Sequence, residues 1–240
     1  DNGISWENTD SPTTSDIRHS DSDFGSLIIS GDSGLVLLKS SVDDEWMDIS
    51  LPEDSEVNGI SLTGSQGAIA VGNNGTIWEL EDGGWTEISL SIESDLLGVS
   101  FIDENLGIVV GSDGTILFSD DGGENWEYRE APEGASDSDI VSVEFYSSTR
   151  IYAITDDGSI LISMSNVVTG TDVGYVWTLV EFERHYPPGT NEYILGPENL
   201  DVELTSVEVV STSKLLMTGA GGYLSMSING GTIVSQQINP

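Results

Sequence analysis

Acidic side chains are the groups best supplied for chemistry in this chain: 42 Asp and Glu stand against six Lys and Arg and two His. The adjacent pairs Asp43-Asp44, Asp120-Asp121 and Asp156-Asp157 put two carboxyls within reach of each other. General acid–base work needs one carboxyl held neutral and one ionised, each aimed at a reacting group. Where acids are this abundant some pair is always at hand, so the pairs read as solvated charge. His19 and His185 lie far apart and lack metal-ligand spacing. Asp21-Ser22-Asp23 and Asp120-Asp121-Gly122-Gly123 offer hard oxygen ligands, but neither completes an EF-hand loop with its closing bidentate Glu. The expectation is no catalytic residue, no dedicated metal site and no cofactor, with cations only loosely held. Cysteine is absent, which removes disulfides and thiolate metal centres.

The net charge of −36 repels itself and works against a compact state at low salt. Yet 37% of residues are hydrophobic, six are Trp, and apolar segments recur throughout the 240 residues, enough to bury a sizeable core. Molar salt shortens the Debye length to roughly 3 Å and removes most repulsion between exposed carboxylates. The acids are scattered through turns rather than gathered in a tail, and Lys is confined to Lys39 and Lys214. Such a composition resembles that of proteins from extreme halophiles, haloarchaea and their viruses among them. It excludes electrostatic binding of nucleic acid or anionic lipid. No apolar stretch approaches membrane-span length, so no membrane insertion is expected. The chain opens on Asp1 rather than Met, which fits a processed, secreted protein.

The elements that position these residues announce themselves as a repeat. A short turn recurs at Gly31-Asp32-Ser33-Gly34, Gly72-Asn73-Asn74-Gly75, Gly111-Ser112-Asp113-Gly114, Thr155-Asp156-Asp157-Gly158 and Gly219-Ala220-Gly221-Gly222. Its period is about 40 residues, apart from one longer interval. Each turn joins two apolar runs, as in Ala68-Ile69-Ala70-Val71 and Thr76-Ile77-Trp78, the pattern of a tight hairpin. A third run, such as Leu97-Gly98-Val99-Ser100-Phe101, precedes each hairpin at a fixed offset and alternates in period two. A fourth run carries Trp46, Trp85, Trp126 or Trp177. Four short strands per unit define an all-β fold, a β-propeller of about five four-stranded blades in one domain. The units fall at about 17–50, 57–92, 97–132, 140–183 and 204–240, with an insertion loop at about 183–203. A leftover strand, Ile4 to Asn8, is expected to pair with the last blade and close the ring, hiding its edge. The alternative is that it adds to a neighbouring protomer.

Ser119-Asp120-Asp121-Gly122-Gly123-Glu124-Asn125-Trp126 fits the Asp-box, or BNR, pattern. Ser119, Asp121, Gly123 and Trp126 are its structural residues: the carboxylate caps backbone N–H groups, glycine permits the turn and Trp packs between blades. The whole chain resembles the BNR propellers related to the photosystem II assembly factor, a group with many secreted members. That resemblance implies a structural box rather than chemistry. It departs from the photosystem protein in one respect, because six basic residues cannot build the Arg-rich patch described for it. Sialidases share the box, but their chemistry requires three arginines around a carboxylate and an Arg-Ile-Pro element. This chain has Arg18, Arg129, Arg150 and Arg184, with Arg150-Ile151-Tyr152 in place of the element.

The irregular stretch after Trp177 concentrates aromatics, prolines and a cation, so Arg184, His185, Tyr186 and Tyr193 are the candidate partner-contact loop. Asn74 in Asn74-Gly75-Thr76 is a candidate glycosylation acceptor, although Asn-Gly is also what a tight turn prefers. The functional expectation is a non-enzymatic propeller on the exterior of a halophile or on its virion, a decoration, spike or surface component that engages a protein partner or itself. One alternative is a carbohydrate-binding or carbohydrate-active propeller whose surface glycan stacks on Trp78, Tyr186 or Tyr193. The other is an intracellular assembly factor.

Overall fold

The computed structural model describes residues 11–41, 43–52, 55–166, 174–179, 203–211, 214–228 and 233–234. These residues form an all-β propeller of antiparallel four-stranded sheets joined by short loops, with 3-10 turns at Asp32–Gly34 and Ala220–Gly222. Blade 1 is β1 (Ile17–Asp21), β2 (Leu27–Gly31), β3 (Val36–Lys39) and β4 (Met47–Asp48). Blade 2 is β5 (Val57–Leu62), β6 (Ala68–Gly72), β7 (Thr76–Glu81) and β8 (Gly84–Ser89). Blade 3 is β9 (Leu96–Phe101), β10 (Gly107–Gly111), β11 (Ile116–Ser119) and β12 (Glu127–Arg129). Blade 4 is β13 (Ile140–Ser147), β14 (Arg150–Thr155), β15 (Ile160–Asn166) and β16 (Gly174–Leu179). Blade 5, described in part, is β17 (Leu204–Ser211), β18 (Lys214–Gly219), β19 (Tyr223–Ile228) and β20 (Ile233–Val234). The expected closing strand, Ile4 to Asn8, lies outside the described residues.

Every sheet is a simple meander, so neighbours in sequence are neighbours in space. The turn between the second and third strands explains the recurring glycine. In blade 2, Asn74 and Gly75 both adopt positive φ, 54° and 69°, the left-handed pair that a hairpin of matching twist requires. Gly75 also runs against the segment leaving its blade: its N–H donates to the Ser94 carbonyl at 2.8 Å, and a Cβ there would lie 2.5 Å from Ile92 Cγ1. The equivalent exit segments tie Leu51 to Gly34 and Ser138 to Gly114.

The core lies between blades rather than within them. Ile28, Val36 and Leu38 of blade 1 pack on Ile60, Ala70 and Trp78 of blade 2. Ile69, Val71 and Ile77 meet Leu96, Val109 and Leu117 across the next seam. Ile108, Ile116 and Phe118 of blade 3 pack with Ile140, Val143 and Ile151 of blade 4, and Ile154 and Ile160 face Val207, Met217 and Tyr223 of blade 5. Because each sheet buries both faces, its middle strands are apolar at nearly every position; β6 and β10 are buried throughout.

Candidate functional site

The five first strands line an axial channel of about 770 Å³. Hairpin register sets which residues reach it together. Asp21 pairs with Ile28, Ser61 with Ile69, Ser100 with Ile108, Glu144 with Tyr152 and Glu208 with Leu216. Each partner stands the same distance before its hairpin glycine, so Asp21, Ser61, Ser100, Glu144 and Glu208 form one level of the channel. Two residues earlier, Gly59 and Gly98 let the inner strands approach; a Cβ on Gly59 would lie 3.3 Å from the Gly98 Cα.

At the carboxylate level, the inner strands of blades 2, 3 and 4 each donate a backbone N–H to a side chain of the preceding blade. Leu62 N–H donates to Asp21 Oδ2 at 2.8 Å, Phe101 N–H to Ser61 Oγ at 3.1 Å, and Phe145 N–H to Ser100 Oγ at 3.3 Å. Ser61 Oγ donates to Asp21 Oδ2 at 3.2 Å, and Ser100 Oγ reaches Glu144 Oε2 at 3.5 Å. Blade 5 is tied a step lower, by Val207 N–H to Ser142 Oγ at 3.2 Å. Burial, then the nearby Glu208 and Asp21 carboxylates, push the Glu144 carboxyl up to about 8. Burial and Asp21 also raise Glu208. His19, at the channel wall, is lowered by burial and by Arg18. The level offers acceptor oxygens and one carboxyl that holds its proton at neutral pH, on a wall of backbone edges and small hydroxyls.

The residues expected from sequence are placed elsewhere. The Asp box lies on the turn between β11 and β12, away from the inner strands. Its Ser119 Oγ donates to Asp121 Oδ1 at 2.9 Å and accepts the Gly123 N–H at 2.9 Å; Asp121 accepts both the backbone and the side-chain N–H of Asn125. Trp126 stands edge-on to Phe101 at 6.0 Å. Asn74 is exposed on the β6–β7 turn, its N–H bound to Asp95 Oδ1 at 2.9 Å. Trp78 is buried in the seam between blades 1 and 2, so it offers no face for a sugar to stack on, a correction to the glycan alternative. Arg184, His185, Tyr186 and Tyr193 lie outside the described residues. Among the described residues no group of three or more His, Asp and Glu converges as a metal cage. At Asp21-Ser22-Asp23 the carboxylates are spent on backbone N–H groups: Ser22 and Leu62 on Asp21, Phe24 on Asp23. Sequence reasoning passed over the channel level. Its signal was there in Val143-Glu144-Phe145 and Val207-Glu208-Val209, where acids take the place that Ser61 and Ser100 hold in the same alternating run.

Meander sheets whose inner strands line a polar axial channel define a β-propeller. Residues 85–214, over half of the chain, match the family described as photosynthesis system II assembly factor YCF48, and the chain belongs to that family. Among solved structures it is similar to YCF48 from Cyanidioschyzon merolae, at 20% identity and a TM-score of 0.62, covering 96% of this chain and 74% of that one. A second, YCF48 bound to D1 peptide, is 16% identical with a TM-score of 0.50, covering 94% and 83%. The WD40 β-propeller domain of Doa1 gives 12% and 0.62, covering 94% and 71%. At these identities the likenesses show the propeller fold. No curated protein matches. The family overturns the expectation of an extracellular or virion-surface component: it is described by an assembly role, which favours the assembly-factor alternative. The exterior location had rested on a chain that opens without Met, on secreted members of the box family and on Ser/Thr/Gly-rich strands, none of which bears on role. A family described by an assembly role agrees with the expectations of a protein partner and of a non-enzymatic chain.

Proposed function

We propose that this chain is a non-enzymatic assembly factor that holds a segment of a client polypeptide, inside a cell whose medium is rich in salt. The family match over residues 85–214 carries the reading. A relative solved with a D1 peptide supports a peptide as the form in which the client is presented. The net charge of −36 supports the saline medium, and at contact range inside the channel, where salt screens less, Asp21 and Glu208 disfavour an acidic segment and accept a basic or uncharged one. The axial channel is the receiving surface, with exposed Thr205, Ser206 and Glu208 on the inner strand of blade 5 giving access to it.

The test is fluorescence anisotropy in multimolar KCl with labelled basic, neutral and acidic peptides drawn from the host's multisubunit complexes. Saturable binding of basic or neutral segments is expected, weakened at least about tenfold by Ser206→Trp, which fills the channel; a factor of ten is about 1.4 kcal/mol. A folded chain that binds none of these peptides, or binds acidic ones as well, would end the reading.

A further inference from the structure

We propose that Glu144 is a proton-operated latch of the axial channel: neutral, it lets the inner strands of blades 3, 4 and 5 stay closed on one another; ionised, it loosens that seam. The observation is positional. In blades 2 and 3 this level is filled by Ser61 and Ser100, small hydroxyls that accept an N–H from the next blade. In blade 4 the same level carries a carboxyl, placed against the Ser100 hydroxyl that receives the Phe145 N–H. An ionised Glu144 therefore sits beside the bond that joins blade 4 to blade 3, and beside Glu208 on the strand that joins blade 4 to blade 5.

The groups facing Glu144 give its charge no counter-ion. From β1 and the turn after it come Arg18, His19, Asp21 and Asp23; from β17 comes Glu208; β14 brings Tyr152, the cross-strand partner of Glu144, and Arg150, whose guanidinium lies over the Tyr146 ring; β5 and β9 contribute no ionisable side chain. Arg18 spends its guanidinium on Asp32, at 2.6 Å. Burial and Arg18 hold His19 below its ordinary value, so its imidazole is neutral when Glu144 titrates. What remains is Asp21, Asp23 and Glu208, all of one sign. Burial and these neighbours raise Glu144 to about 8, which places the switch within reach of ordinary cytoplasmic and experimental pH. Inside the channel walls salt screens these charges less than it screens the outer surface. The sign follows from linkage. A carboxyl raised in the folded state contributes stability that is full below its unfolded value near 4.5 and lost as pH climbs through about 8. The latch is a property of the channel whether or not a client occupies it.

The test is a carbon-detected NMR titration of the Glu carboxyl signals of the full chain in multimolar KCl, assigned by comparison with Glu144→Gln. One carboxyl titrating within about a unit of pH 8, absent from the variant, is expected. Amide exchange at Phe145, taken relative to Glu144→Gln at each pH, is expected to rise at least about tenfold in the wild-type chain between about pH 6 and about pH 9. If Glu144→Gln does not fold, Glu208→Gln removes the adjacent charge and must lower the Glu144 midpoint measurably. Glu carboxyls that all titrate below about pH 6, or a Phe145 exchange ratio that does not change with pH, would overturn the proposal.

Discussion

Asp121 and Glu144 are both carboxylates on a heavily acidic chain, and their surroundings give them opposite dependence on pH. Burial acts to raise Asp121, but the hydrogen bonds from Asn125 and Ser119 outweigh it and leave the group below its ordinary value. Its contribution is present above the unfolded value of 3.8 and lost as pH falls through the depressed one. Asp121→Asn keeps the shape and weakens the capping; by analogy with helix caps it should cost roughly 1 kcal/mol at neutral pH. The variant should also lose less stability than wild type on acidification, as checked by thermal unfolding at several pH values. Asp32, Asp48 and Asp157 are likewise lowered and act in the same direction, with Glu144 opposing them, so stability should peak in mildly acidic solution. Glu144→Gln should flatten the decline on the alkaline side. The Asp box was legible in the sequence because every partner of Asp121 lies within four residues. The carboxylate level was not, because Asp21, Glu144 and Glu208 meet only through the register of three separate blades.

Strands and turns were the most legible elements, since each hairpin is specified locally by an apolar run, a left-handed turn and a second apolar run. What the turn residues could not announce was the exit segment that presses on them. Gly75 and Gly83 separate the two effects. Both have positive φ, but a Cβ on Gly83 meets nothing within 4 Å, whereas one on Gly75 would collide with Ile92 and its carbonyl. Gly83→Ala should cost only the left-handed penalty of roughly 1–2 kcal/mol. Gly75→Ala should cost clearly more, with chemical denaturation of the two variants side by side as the measurement. The tryptophans of the fourth strands are similarly half legible. Their recurrence marked the strand, but only the packing shows that three of them reach back to the blade before: Trp85 Nε1 donates to the Ile49 carbonyl of blade 1, Trp126 joins the seam with blade 2, and Trp177 the seam with blade 3.

The whole chain carries 42 acidic residues, while the described seams between blades are lined by buried hydrophobic side chains, so salt acts mainly on the surface and spares the seams. Dilution from above 1 M KCl to about 0.1 M lengthens the Debye length from roughly 3 Å to roughly 10 Å and restores repulsion among exposed carboxylates. The unfolding midpoint should fall by about 10 °C or more, as calorimetry at stepped KCl concentrations would record. A midpoint indifferent to salt would remove the argument for a saline medium. Propeller architecture was readable at this scale because the unit repeats; a role in assembly leaves no periodic mark in a sequence. At the channel level, successive blades are joined by a backbone N–H on one donating to a side-chain oxygen on the one before. A gene segment copied in frame over one unit would therefore carry both halves of that joint and need no new complementary surface. Adding a blade would then require a copied unit rather than a redesigned joint, and the acceptor residue is where each copy could acquire its own trade.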